Sequence, residues 1–277
     1  MPGHGISNSP FLTTRYGGGG GYTPSAEALA WEADIIANGG SIAADVLQTI
    51  DEVFIIPNVV GGNWTKFDRA HLWITNSNEI AARTSIEGNN YFATFISTPV
   101  FDNSGIKSDG VAAYVDLNFN PNIDGVNYTL NSCSLGYVAE NPTFTVVKRS
   151  MGCLDVTATQ RAEVYEYNGA NVSSFVNAQF GVINYKTPTG NVIIYGKRDA
   201  DPVNSITGVN TIETTGADAS TAVPNLNAYE LTTNYAGSPL GDYDTDYHHF
   251  SWHGAADLDI ALIHTTIDNL EAALAAL

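Results

Sequence analysis

From about residue 64 to residue 235 the apolar residues of this chain return at every second position, in short runs rich in Val, Ile, Tyr, Phe and Thr broken by Gly, Asn and Asp. A period of two belongs to strands with one face buried and one wet, and it leaves no room for long helices in this stretch. The runs predict strands at residues 70–75, 81–85, 91–96, 112–119, 132–138, 144–148, 153–157, 163–167, 180–185, 192–197 and 228–233. Turns are expected at Asp109-Gly110, Asp124-Gly125, Asn168-Gly169 and Thr189-Gly190, where Gly or Asn tolerates positive φ. Strands this short and closely spaced, without helical crossovers, predict a mainly β fold of two stacked antiparallel sheets, a sandwich or jelly roll. Residues 201–225 are polar and read as a long excursion between late strands.

Helical periodicity frames this region on both sides. In residues 24–40, Ala28, Leu29, Trp31, Ile35 and Ile36 make one apolar stripe, Pro24 suits the first turn, and Gly39 and Gly40 stop the helix. In residues 41–57, Ser41 reads as the cap and Asp45 lies in the first turn, where the helix dipole favours it. Val46, Leu47, Ile50, Val53 and Phe54 share a face there before Pro57 ends the run. A C-terminal helix of four to five turns is expected just after Asp257, with Leu258, Ala261, Leu262, Thr265, Leu270, Leu274 and Leu277 as its stripe. The organisation is then a Gly-rich N-terminal arm over 1–23, a helical preface over 24–62 and a β-sandwich domain with a C-terminal helix over 63–277.

The arm carries five glycines in a row, Gly17 to Gly21, which lose much backbone entropy in any fixed conformation. It lacks the Lys-Ser/Thr ending of a phosphate loop, so its expected role is mechanical. Arg15, Tyr16, Gly17, Gly21 and Tyr22 are the expected assembly residues, with Arg15 and Tyr16 anchoring one side and Tyr22 the other. An arm of this kind is held by a packed partner, which points to a homo-oligomer or a larger assembly. Eleven Lys and Arg stand against 29 Asp and Glu, a net charge of −18, which argues against nucleic-acid binding through clustered cations. No stretch reaches eighteen consecutive apolar residues, and the first 23 residues lack the charged and apolar parts of an ordinary signal peptide; neither membrane insertion nor such export is expected.

The densest polar cluster is GDYDTDYHHFSWHGAAD, residues 241–257. Asp242, Asp244 and Asp246 alternate like the opening of an EF-hand loop, but Tyr247 stands where its glycine belongs and His253 where its acidic ligand belongs. That motif fails, although calcium held by oxygens from separate loops stays open as an alternative to no cofactor. His248, His249 and His253 with Asp257 do not follow a zinc spacing; the plainer reading points Tyr247, Phe250 and Trp252 inward and His249 and Ser251 outward on a last strand. No metal site or catalytic residue is expected. No G-x-S-x-G elbow occurs, and Glu163 and Glu166, three apart, fall on opposite faces of a strand rather than flanking one cleft, as glycosidase carboxylates do. Cys133 and Cys153 read as buried strand residues, with a bridge between adjacent strands as the lesser alternative. Trp64, Trp73 and Tyr114 are expected in the core, while Tyr243 and Tyr247 lie near the surface. With Asp242, Asp244 and Asp246, they form the expected ligand-binding set.

The order of features resembles a group of tailed-phage virion proteins with a concanavalin-like, LamG-type β-sandwich. The likeness rests on the segment EALAWEADIIANGGSIAADVLQTIDEVFIIPNVVGGNWTKFDRA with Pro57 and Gly61-Gly62. It continues through Gly110, Leu117 to Pro121 and Tyr128 to Val138, then Asn168-Gly169, Phe180-Gly181-Val182 and Tyr195 to Arg198. It covers roughly residues 24–200, and the glycine arm and histidine-rich final strand depart from it. The resemblance implies a non-enzymatic virion structural protein, part of a tail, fibre or head decoration anchored by its N-terminal arm, with other virion proteins as partners. A module recognising host surface glycan is the alternative, since exposed tyrosines flanked by Asn and Asp suit a sugar as well as a protein neighbour.

Overall fold

The computed structural model describes residues 22–88, 91–167, 171–179, 181–185 and 190–277. Arg15, Tyr16, Gly17 and Gly21 of the expected arm lie outside the described residues, as do Asn168, Gly169, Phe180 and Thr189. The fold is mainly β, two largely antiparallel sheets stacked as a sandwich with helices from both chain ends.

The first sheet runs β13 (Ile212–Ala217), β12 (Asn204–Val209), β11 (Asn191–Asp199), β6 (Ser132–Glu140), β17 (Tyr247–Gly254), β4 (Gly105–Lys107) and β3 (Val100–Asp102), with β1 (Phe67–Leu72) also paired to β17. The second runs β10 (Val182–Tyr185), β9 (Asn171–Val176), β8 (Arg161–Tyr167), β7 (Lys148–Leu154), β14 (Tyr229–Glu230), β5 (Tyr114–Asp116) and β2 (Thr94–Ile96). Two short strands, β15 (Asn234–Tyr235) and β16 (Ser238–Pro239), pair with each other, and β15 lies parallel to β7.

Helices make a third layer on the outer face of the first sheet. Helix α1 (Ala26–Ala37) is capped by Ser25, whose hydroxyl accepts from the Ala28 amide. Helix α2 (Ala44–Ile50) passes into a π-helical turn, Asp51–Ile55, and then into α3 (Ile56–Val60). Pro57 therefore does not end the run: it takes the first turn of α3, where its missing N–H is no loss, and the chain stops at Gly61. Ala43 occupies the cap position of α2 in place of Ser41, without a side-chain bond. The last helix, α6 (Ile260–Leu274; α4 and α5 are given below), begins at an Asp259 cap and buries Ile260, Ile263, Thr266, Ile267 and Leu270. The buried face is thus rotated from the expected stripe, leaving Ala261 and Thr265 exposed. Phe54, Phe250, Trp31, Trp252 and Ile263 join these helices and the sheet in one core, with Phe54 edge-on to Phe250 at 5.1 Å. Full burial of a side chain such as Phe54 contributes roughly 1.5–3 kcal/mol.

Three expectations about strands fail for physical reasons. Residues 81–85 do not form a strand, because Asn78 caps the short helix α4 (Glu79–Arg83) by accepting from the Ala81 amide, and Arg83 pairs with Glu79 one turn back at 3.1 Å. The expected strands at 144–148 and 153–157 are replaced by the single β7, which runs through the residues between them with a bulge between Arg149 and Met151. Residues 201–225 hold the β12–β13 hairpin, and its polar sequence reflects an edge strand whose side chains are half-buried or exposed. A short helix, α5 (Pro121–Asp124), follows the Asn120-Pro121 turn. Among the described residues no helix is long and apolar enough to cross a membrane.

Candidate functional site

Period two holds in the acidic segment, but the side it selects is the interior. Gly241 and Asp242, both at positive φ, turn the chain so that Asp244, Asp246 and His248 point between the sheets. Asp244 is fully buried; its Oδ2 accepts from Ser150 Oγ at 2.6 Å and lies 3.1 Å from His248 Nε2. The other ring nitrogen, Nδ1, lies 2.6 Å from Glu230 Oε1 on the opposite sheet, and the imidazole stacks on Tyr137 at 4.3 Å. Burial alone lowers the pKa of His248, yet its bonds to Asp244 and Glu230 and the charges of both lift it to about 10. His248 is an imidazolium clamped between two carboxylates. The same partner and Lys148 hold Asp244 below the usual carboxylate range despite burial.

Asp246 is also closed in. Its carboxylate accepts from the Thr143 amide at 2.8 Å and pairs with Lys148, which lies 3.7 Å from Glu166. Burial, then the charge of Asp244, pushes Glu166 up to about 9. Oxygens of Glu166, Asp244 and Asp246 lie within 4.8 Å of one another, a spacing a metal ion could use, but the Lys148 ammonium already supplies the cation. None of these groups is more than 9% exposed, so the network is interior structure and Asp244 and Asp246 are not free to face a ligand. His249 and Ser251 are likewise buried, correcting their expected outward placement: β17 has the helical layer on one face and the second sheet on the other.

The remaining expected residues separate. Tyr247 donates to Asp102 at 2.5 Å and carries the Lys107 ammonium 4.0 Å above its ring, so its hydroxyl and one face are taken. Asp242 is exposed and stands 3.9 Å from Arg149 Nε. Tyr243 is half-buried and bridges to Arg149 of β7, its neighbour Asp244 is held by backbone bonds between Ser108 and Leu231, and burial first, then the charges of Tyr114 and Asp109, raise its pKa. Tyr114, expected in the core, is half-buried on the outer face of the second sheet, paired with Tyr229 at 4.8 Å and 35° between rings. Tyr229 itself is only 7% exposed and buttresses the pair. Asp109 accepts from the amides of Val111, Ala112 and Ala113, each at 2.9 Å, fixing the turn that leads into Tyr114; these bonds lower its pKa to about 2. Asp116 accepts from Asn227 at 3.2 Å on the same strand. The result is a surface of three tyrosines edged by Asp109, Asp116, Asn227 and Asp242. Tyr114 and Tyr229 were not legible as site residues, since alternation gives two faces without saying which is wet.

Three further expectations have clear positions. Tyr22 donates to Asp51 Oδ2 at 2.7 Å, and Ser25 donates from both its amide and hydroxyl to the same carboxylate, at 2.8 and 2.6 Å. Glu163 and Glu166 do lie on opposite faces: Glu163 pairs with Arg149 and with Arg161, the latter at 2.7 Å, on the outer face of β8, while Glu166 faces the interior. Cys133 and Cys153 are buried free thiols, and burial pushes the Cys133 thiol up to about 12.

No family model and no curated protein matches this sequence. Solved structures resemble it in fold. A mutant of Trypanosoma rangeli sialidase displaying trans-sialidase activity aligns at 10% identity over 81% of this chain and 39% of its own, with a TM-score of 0.50. The chain therefore spans well under half the length of that sialidase. The CBM40 of the Ruminococcus gnavus IT-sialidase, bound to α2,3 sialyllactose, aligns at 12% identity over 64% of this chain and 98% of its own, TM-score 0.43. Domain 4 of AbnA, a GH43 extracellular arabinanase from Geobacillus stearothermophilus in complex with arabinotriose, gives 12%, 73%, 98% and 0.45 in the same order. At such identities the likeness is one of architecture.

Proposed function

We infer that this chain is a non-catalytic glycan-recognition module that binds through Tyr114, Tyr229 and Tyr243 on the outer face of its second sheet. The observation that carries this reading is the Tyr114–Tyr229 ring pair with Tyr243 beside it, on a face edged by hydrogen-bonding groups. A phenol ring offers an apolar surface to the C–H face of a sugar, and the carboxylates and the Asn227 amide suit its hydroxyls. Asp109, Asp116 and Asp242 make the rim anionic on a chain of net charge −18, so the ligand class is neutral hydroxyl-rich sugar rather than sialylated or sulfated glycan. The buried acids supply no accessible carboxylate pair for hydrolysis.

A glycan array followed by calorimetric titration tests this. Tyr114→Ala and Tyr243→Ala are each expected to weaken binding at least tenfold, whereas Tyr247→Ala leaves it unchanged because that ring is already engaged by Asp102 and Lys107. Absence of binding to neutral glycans, or loss of binding through Tyr247→Ala alone, overturns the reading.

A second reading, a structural part of a phage tail, fibre or head decoration, is supported by the sequence resemblance and by the Asp51 anchor of Tyr22 and Ser25, which gives the preceding arm a fixed root. Light scattering and particle incorporation of a form lacking residues 1–21 decide it; unchanged oligomeric state together with unchanged incorporation removes it.

A further inference from the structure

The first sheet ends on one side at β13, and that edge is open. The Asp218 amide donates to the Val203 carbonyl at 2.8 Å, so Val203 and Asp218 extend the β12–β13 ladder as a bonded pair. Bonded and unbonded pairs alternate along antiparallel strands, so Gly216, Thr214 and Ile212 turn their N–H and C=O groups toward β12. Glu213, Thr215 and Ala217 turn theirs away, and among the described residues none of these groups has a partner. An edge of this kind templates pairing with another chain unless proline, lysine, a bulge or short length blunts it. β13 carries none of these devices: its six residues, IETTGA, pair with β12 without a register shift. The other end of the same sheet is blunted, since β3 spans only three residues after Pro99, and β2 at an edge of the second sheet is equally short.

The occupant that fits this edge is a second copy of the same strand. An antiparallel two-fold centred on Thr215 places Thr215 opposite Thr215, and Glu213 opposite Ala217 in both directions. All three outward-facing residues then join bonded pairs, each exchanging two N–H···O bonds, and threonine pairs are favourable cross-strand neighbours. A two-fold centred on Glu213 instead sets two like charges face to face and carries Ala217 past the end of the strand. The charge on the edge is already balanced within each copy. Lys197 stands 2.5 Å from Glu213, which also accepts from the Tyr195 hydroxyl at 2.7 Å. Both of these partners lie on β11, across β12, so the open side of β13 is left clear.

We propose that the chain forms a two-fold dimer by pairing β13 with β13 of a second copy, so that the two first sheets become one continuous sheet. The axis runs through the Thr215 pair, normal to the sheet, and the helical layers of both copies lie on the same side. The surface of Tyr114, Tyr229 and Tyr243 stays clear of the seam. It belongs to β5 and β14, at the opposite end of the second sheet from β10, which packs against β12 and β13 through Asn184. The dimer rests on backbone pairing and holds whether or not that surface binds sugar. A net charge of −18 on each copy opposes association, so salt strengthens the dimer by screening.

The test is sedimentation velocity of the full chain over about a hundredfold range of concentration, at about 0.15 and 0.5 M salt. A monomer–dimer equilibrium is expected that tightens at the higher salt. Thr215→Pro removes one outward N–H without touching the β12 ladder, so it should leave the thermal melt in place and weaken dimerisation at least tenfold. Thr215→Lys sets two ammonium groups opposite each other and should do the same, while Val100→Lys on β3 leaves the dimer intact. Should the proline variant unfold, Thr215→Lys still decides. The register has its own readout. Bonded pairs hold Cα atoms about 5.5 Å apart, within disulfide range, so Thr215→Cys should cross-link under mild oxidation. Ala217→Cys, also exposed, places its Cα atoms roughly 14 Å apart and should not. The two native thiols are buried and do not compete. A chain that stays monomeric, a dimer untouched by both Thr215 variants, cross-linking through Ala217→Cys in place of Thr215→Cys, or a dimer lost on removal of residues 1–21 overturns the proposal.

Discussion

Three strands, β6 of the first sheet and β7 and β8 of the second, line the space between the sheets, and each changes chemistry along its length. At one end β6 contributes Cys133 and Leu135, β7 Met151 and Cys153, and β8 Ala162 and Val164, which pack with Val176 in a hydrocarbon core. At the other end the same strands contribute Tyr137, Lys148, Ser150 and Glu166, which meet Glu230, Asp244, Asp246 and His248. The dry end gains from removal of apolar area from water and tolerates imperfect fit at modest cost. The charged end gains little net free energy from its pairs, because desolvation offsets attraction, but it penalises any missing partner heavily. One end therefore supplies stability, while the other makes stability depend on complete pairing and on pH.

The largest effect expected from this contrast comes from Lys148→Met. Removing the ammonium leaves Asp246 facing Glu166 without a cation, and a loss of about 3–5 kcal/mol is expected by chemical denaturation. A loss below about 1 kcal/mol would show that the buried acids are already neutral and that the two ends behave alike.

Next in size is the response to pH. His248 is raised from 6.5 to about 10 in the folded chain, so its contribution is complete below pH 6.5 and is lost as pH climbs toward 10. Glu166, raised from 4.5 to about 9 by burial, adds a penalty that grows over its own window, in the same direction. Asp244, lowered from 3.8, loses its contribution only in stronger acid. The denaturation midpoint is expected to be highest between about pH 5 and 6.5 and to fall steadily to pH 9.5. A flat or rising profile over that range would mean that His248 is neutral in the folded protein. The smallest effect belongs to the dry end: Leu135→Met should lower stability by less than about 1.5 kcal/mol at every pH, leaving the shape of the profile intact. A changed shape would show that the two ends are coupled.

The parts of this architecture that were legible share one property, in that a local pattern decided them. Strand β6 and the start of β8 alternate apolar residues with small or polar ones, β11 opens on the apolar run Val192-Ile193-Ile194, and α1 carries its glycine stop and a stripe of which Ala28, Trp31 and Ile35 are buried while Ile36 is exposed. The misread segments are those where a distant partner decides. Gly152 sits within β7 at positive φ, supported by β8 and β14 on either side, in the gap between the strands expected at 144–148 and 153–157. The alternation in 242–248 was visible, but its direction depended on Lys148, Ser150 and Glu230, which lie 98, 94 and 18 residues from their partners Asp246, Asp244 and His248. Tyr243 and Asp242 kept their surface positions, and Tyr114 and Tyr229 joined Tyr243 only through the β5–β14 pairing.

The place of β17 sets the order in which this molecule can be made. It comes last in sequence among the described strands, yet in the first sheet it is the seam that joins β6 to β4 and also holds β1. Until residues 247–254 are made, the β6 side of that sheet, the β3–β4 hairpin and β1 lack the strand that joins them, and their edges stay unpaired. A nascent chain stalled before Tyr247 is therefore expected to expose unpaired strand edges.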